Sequence, residues 1–226
     1  MTPDDPRAAH PSPVDLRAPA HERFLLGSGP FRAALRGGPG IEDFDLSLDS
    51  ARPAEAGASP ALGRLRWHWG PTEAAPGHRR LGLADLVRVE NGPHAMEAFL
   101  SAADRVLVAD TTVPVVAQGG FSFSSPHPGV EVRVFEDGDA EWLVAAGADR
   151  AVAAAWDGRR LIVGAARGFR GADLPPIVEA ARADVRAALP VDTDALRRRG
   201  SRAEPSTAGA NTMARNGEGA VTWRSG

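Results

Sequence analysis

Residues 130–165 read VEVRVFEDGDAEWLVAAGADRAVAAAWDGRRLIVGA, and their pattern decides most of the fold expectation. Val130, Val132 and Val134 alternate with Glu131 and Arg133. That period of two puts successive side chains on opposite faces of a strand. Apolar runs follow at 141–146, 151–156 and 160–165, and Asp157-Gly158 between the last two is a hairpin signal. Downstream, 173–189 has helical spacing: Leu174, Ile177, Val178, Ala181, Val185 and Leu189 form one stripe, with Pro175 and Pro176 in the first turn. Upstream, 105–109 and 113–117 are β-branched apolar runs, while 83–89 fits helix or strand. The spacing of Met96, Phe99 and Leu100 predicts a helix over 93–103. Two more segments alternate, 43–49 and 64–69, the latter with Leu65, Trp67 and Trp69 against Arg64, Arg66 and His68. Residues 24–26 form a short apolar run that ends in a Gly27–Pro30 turn cluster. A short helix is expected over 30–36, stopped by Gly37-Gly38. The expected class is α+β: a mixed, largely antiparallel sheet with helices covering one face.

Composition bounds the organisation. The chain has 226 residues, 43 % apolar and 24 % charged, enough for one large domain or two small ones. Residues 1–20 carry five prolines and are expected to be a disordered leader. Residues 21–190 then form a single globular domain, and 191–226 a disordered Arg/Gly/Ser-rich tail. The arginine cluster of that tail (Arg197, Arg198, Arg199, Arg202) is read as a solvated charge block or as a nucleic-acid or partner contact. Net charge is −3, so no overall basic field attracts nucleic acid or an anionic membrane. Cysteine is absent, which excludes thiolate chemistry and cysteine-ligated metals. Tyrosine is also absent and all 26 basic residues are arginine, which excludes lysine Schiff bases, a P-loop lysine and a catalytic tyrosine. No apolar run approaches the roughly 20 residues of a membrane span. The opening residues lack a signal-peptide layout. The expectation is a cytoplasmic protein with no membrane association.

One stretch carries possible chemistry. Residues 24–49 run in the order apolar strand, Gly27-Ser28 turn, short helix, glycine-rich loop, and Asp43-Phe44-Asp45-Leu46 on a strand. A turn feeding a helix N-terminus can seat a phosphate. Asp43 and Asp45, two apart on a strand, project to one face, and Mg²⁺ takes one or two carboxylates together with phosphate oxygens and water. This order resembles the nucleotidyltransferase superfamily of DNA polymerase β type, which includes the head domain of CCA-adding enzymes. The resemblance rests on Leu26-Gly27-Ser28 and Asp43-Phe44-Asp45-Leu46. It implies Mg²⁺-dependent transfer of a nucleoside monophosphate from an NTP to a hydroxyl acceptor. Gly27 and Ser28 would then meet phosphate and Asp43 and Asp45 would hold the metal. Glu131 would serve as the third carboxylate, either a ligand or the base for the acceptor. The alternative is that Asp43 and Asp45 are the solvent face of an amphipathic strand. In that case the chain is a non-enzymatic binding or accessory protein with a protein partner.

Other constellations carry weaker chemistry. None of the six histidines is spaced from another for a helical zinc pair. Trp67, His68 and Trp69 read either as a stacking wall for a ligand or as core tryptophans beside a surface histidine. His94 opens a segment expected to be helical and is a possible general base. Ser124, Ser125 and His127 lack a nucleophile elbow around them. Asp110, at a strand end before Thr111, reads as a turn residue.

Overall fold

Phe44 and Leu46 point into the molecule while Asp43 and Asp45 point out of it. The strand that carries them lies at the centre of a five-stranded antiparallel sheet. The computed structural model describes residues 24–27, 30–38, 40–48, 61–70, 78–82, 86–91, 94–111, 120–169, 171–202, 212–215 and 221–224. The smaller sheet has the order β1 (Phe24–Leu26), β2 (Phe31–Gly38), β3 (Ile41–Leu48), β4 (Ala61–His68) and, reached after an excursion, β9 (Phe121–Ser124). The excursion is a four-strand meander: β5 (His78–Gly82), β6 (Leu86–Asn91), β7 (His94–Ser101) and β8 (Val106–Thr111). A second meander follows β9: β10 (Glu131–Asp137), β11 (Ala140–Gly147), β12 (Arg150–Trp156) and β13 (Arg160–Arg167). Pairing of β13 with β8 joins the two into one eight-stranded sheet ordered β10-β11-β12-β13-β8-β7-β6-β5. Helices α1 (Leu174–Ala188) and α2 (Thr193–Arg202) come next, then a hairpin of β14 (Thr212–Arg215) and β15 (Val221–Arg224).

The layers follow from which residues each strand buries. The two sheets face each other over a core that includes Phe44, Leu65, Trp67, Leu107, Leu143 and Leu161. On its other face the larger sheet packs against the helices, where Val106, Val108, Trp142 and Ile162 meet Ile177, Val185 and Leu196. Strand β8 is buried on both sides, its residues going alternately to one core and the other. A strand in that position has no polar face to show.

Among the described residues the protein is therefore a mostly antiparallel β structure, 59 % strand and 17 % helix with two helices, and not the α+β domain expected from sequence. Two expected helices are strands. The segment at 30–36 is β2, which pairs with both β1 and β3. The segment at 93–103 contains β7, which pairs with β6 and β8. The run at 113–117 lies outside the described residues, as do residues 1–20. The arginine cluster assigned to a tail lies on α2. Leu196 of that helix is fully buried, Arg197 pairs with Glu97, and Arg199 pairs with Asp104.

The β11–β12 turn contains Ala148 with φ +54, a left-handed backbone that disfavours a side chain. Ala148→Gly is expected to raise stability by about 0.5–1 kcal/mol, read from urea unfolding midpoints at constant slope. An unchanged or lowered midpoint would contradict that reading.

Candidate functional site

The two aspartates of the Asp-x-Asp strand share the outer face of β3, as their spacing requires, but arginines from the flanking strands occupy their oxygens. The register sets Asp43 opposite Arg66 and Asp45 opposite Arg64 on β4. Arg66 grips Asp43 with two hydrogen bonds, from Nε at 2.7 Å and Nη2 at 3.0 Å. Arg64 Nε donates to Asp45 Oδ1 at 2.8 Å, and Arg36 Nε on β2 lies 3.5 Å from Asp45 Oδ2. The hydrogen bond and charge of Asp43 raise the pKa of Arg66 above its ordinary value. Cross-strand pairs of opposite charge of this kind support a sheet face.

The remaining parts of the expected centre do not join them. Glu131 begins β10 and shares a face with Phe135, whose cross-strand neighbour Trp142 lies in the helix-side core. Asp43 and Asp45 face away from the larger sheet, so both sheets and the core between them separate Glu131 from the two aspartates. Glu131 pairs locally with Arg133 at 3.2 Å, and both are well exposed. Gly27 has φ +91, and a Cβ there would stand 2.5 Å from Leu100 Cδ1 and 3.0 Å from the Phe31 carbonyl oxygen. Its missing side chain lets the β1–β2 turn press on β7. The segment after that turn is a strand, so no helix N-terminus faces Gly27. Ser28 lies outside the described residues. As a donor set these residues do not fit Mg²⁺: the ion would have to displace the guanidiniums that hold Asp43 and Asp45, and the third carboxylate lies across the molecule. Among the described residues no group of three His, Cys, Asp or Glu side chains could hold a metal ion.

The secondary constellations resolve into structural roles. Trp67 and Trp69 are buried at 0 % and 1 % exposure, so neither offers a ring to a ligand. His94 opens a strand, not a helix. Ser125 Oγ donates to the Leu62 carbonyl oxygen and accepts from the His127 backbone N–H, which fastens the loop after β9 to β4. Asp110 accepts from Arg159 Nε at 2.8 Å and from the Thr193 hydroxyl at 2.5 Å, fixing the start of α2 to the end of β8.

Two features went unread in the sequence. One is a polar knot on Asp149, whose carboxylate accepts from Arg150 Nε at 2.9 Å and Arg167 Nε at 3.1 Å. Arg150 Nη1 continues to the Ala61 carbonyl oxygen on β4 and lies 2.6 Å from His127 Nε2. Burial pushes the Asp149 pKa up, but the hydrogen bonds and charges of both arginines outweigh it and hold the carboxyl below its ordinary value. A cavity beside the knot, lined by Leu62, Phe123, Val130 and Arg150 among others, measures about 10 Å³, room for one water.

The second feature is the edge strand β10. Its valines share the face of Leu143 and Ala145, which the smaller sheet covers, yet Val132 and Val134 are 44 % and 54 % exposed. The larger sheet overhangs the smaller one at this edge. Among the described residues no helix is long and apolar enough to cross a membrane. No protein-family model and no curated protein matches the chain.

Proposed function

We propose that this chain is a non-enzymatic binding or accessory protein of the cytoplasm, and that it engages another polypeptide by strand addition along β10. The exposure of Val132 and Val134 on the overhang carries this reading. The direction of the backbone supports it. The β10–β11 hairpin closes through Gly138 and Asp139, with Asp137 opposite Ala140. A two-residue turn makes that closing pair the hydrogen-bonded one, and the pattern alternates from there. Residues 131, 133, 135 and 137 thus spend their N–H and C=O groups on β11. Val132, Val134 and Glu136 turn theirs to the open side. An added strand would satisfy those groups and cover the valines together.

A fluorescent nonapeptide of alternating threonine and valine, with lysine ends, tests the reading by anisotropy. Saturable binding is expected, and Val132→Pro should abolish it. That proline removes an outward N–H and leaves the β10–β11 ladder intact. Absence of saturable binding to the monomeric chain overturns the reading.

A second reading is Mg²⁺-dependent nucleotidyl transfer through Asp43, Asp45 and Glu131, with Gly27 and Ser28 at the phosphate. It has in its favour that Asp43 and Asp45 project to one face. Calorimetry with Mg²⁺ and each NTP separates the two readings. Heat that wild type gives and Asp43→Ala/Asp45→Ala lacks would favour the second.

A further inference from the structure

We infer that the polypeptide added to β10 is a second copy of this chain, joined antiparallel about a two-fold axis at Val132; this rests on the strand-addition reading above. The edge strands of the two sheets differ in length. β1 has three residues and β9 four, short enough to offer little pairing, and β5 has five. β10 has seven, without proline or a register shift. Short edges are one way a sheet protects itself from association, and β10 does not use it.

Only one register of the edge matches valine to valine and acid to base at the same time; an axis at Phe135 sets Arg133 against the partner's Asp137 but Val134 against the partner's Glu136. With Val132 opposite the partner's Val132, Val130 faces the partner's Val134, and both pairs use outward backbone groups. Glu131 then faces the partner's Arg133, and Arg133 the partner's Glu131. These are the non-hydrogen-bonded positions, where side chains approach most closely. The valines of both copies make one stripe on the overhang, and the charged pairs line the helix side. Other registers lose this match. An axis at Arg133 sets that arginine against the partner's Arg133, and an axis at Val134 sets Glu131 against the partner's Asp137. Like charges directly opposite one another oppose pairing. In the single chain Glu131 and Arg133 already pair with each other at 3.2 Å, with side chains 75 % and 78 % exposed. An ion pair so open to water contributes little, so exchanging it for two intermolecular pairs gives up little. The contact is isologous and closes at two copies, extending the eight-stranded sheet across the axis.

Sedimentation equilibrium of the full chain at concentrations up to about 100 µM tests the inference on the affinity scale of a weak strand-added dimer. Wild type is expected to show a reversible dimer. Arg133→Glu places two pairs of like charge across the axis and should weaken dimerisation roughly tenfold or more. Val132→Pro should do the same through the lost N–H. The double variant Glu131→Arg/Arg133→Glu restores opposite charges and should recover the wild-type dimer. A monomeric wild type overturns the inference. So does a dimer unaffected by Arg133→Glu, or a double variant that stays monomeric with wild-type circular dichroism. The threonine–valine peptide titrated into Arg133→Glu separates the two levels. If it binds while wild type is monomeric, strand addition stands and the second copy falls. If it fails to bind while wild type is monomeric, strand addition falls as well.

Discussion

Asp149→Asn is expected to lower the unfolding free energy by about 3 kcal/mol at neutral pH, near the lower end for breaking a buried ion pair. The side chains of Arg150 and Arg167 are 12 % and 9 % exposed, and the single carboxylate between them accepts from both. Asparagine keeps the shape and one acceptor oxygen but leaves two largely buried guanidiniums without the negative charge. The pH dependence has a definite sign. The folded carboxyl titrates below its ordinary value, because the two arginines outweigh the effect of burial. Its contribution is therefore complete above the unfolded carboxylate pKa of about 3.9 and disappears as pH falls through the lower folded value. Urea unfolding of both proteins at several pH values should show a gap that is constant near neutrality and narrows in acid. A gap under about 0.5 kcal/mol at neutral pH would show that the knot is dispensable, since ordinary surface changes reach that size.

Gly63→Ala is expected to be comparably damaging for a reason unrelated to charge. Gly63 lies on β4 beside the register shift at Leu46/Ser47, with φ +151. A Cβ there would be driven into the Ser124 carbonyl oxygen and the Phe123 ring of β9. A ring can turn aside, but a carbonyl within a ladder cannot without breaking it. Strain and displaced backbone together should cost about 3 kcal/mol or more. For a domain of this size that corresponds to a fall in Tm of about 6 to 12 °C. Amide exchange should accelerate first in Phe121–Ser124. A Tm within about 2 °C of wild type would show that β4 and β9 separate easily, because a shift that small is under about 1 kcal/mol.

Strands with one wet face could be read directly. β3, β4 and β10 alternate because solvent and core take turns along them, and the Asp157-Gly158 turn marked the β12–β13 hairpin. The misreadings have physical causes. β7 sends Met96 and Ala98 to the inter-sheet core and Phe99 to the helix-side core. Burial on both faces erases the alternation and leaves an Ala/Met/Glu/Leu composition that suits a helix. β2 does alternate, with Phe31, Ala33 and Leu35 against Arg32, Ala34 and Arg36. Its helix-forming residues and the flanking proline and glycines masked this, and pairing on both sides overrode them. α2 carries little apolar content beyond Leu196, too little for an amphipathic pattern, and the acids that hold it are distant in sequence.

The candidate site was legible only in part. That Asp43 and Asp45 share a face followed from spacing. What occupies their oxygens depended on register. The signal was nevertheless present: Arg64 and Arg66 have the same two-residue spacing on the next strand, and antiparallel pairing of the two strands sets basic against acidic. Nothing in the alternation of Val130 to Val134 indicates that the strand lies at an overhang, because that depends on how far the other sheet extends.

The junction of β8 with β13 has a kinetic consequence. Each meander can zip from its own hairpins, with short loops to close at every step. Bringing Arg160 against Asp110 and Gly164 against Val106 instead encloses β9 to β12 in one large loop. The entropy of closing that loop must be met before any contact across the junction returns energy. The meeting of the two meanders is thus expected to be a slow step of refolding, and helix α1, which rests on β12 and β13, to find its seat only afterwards.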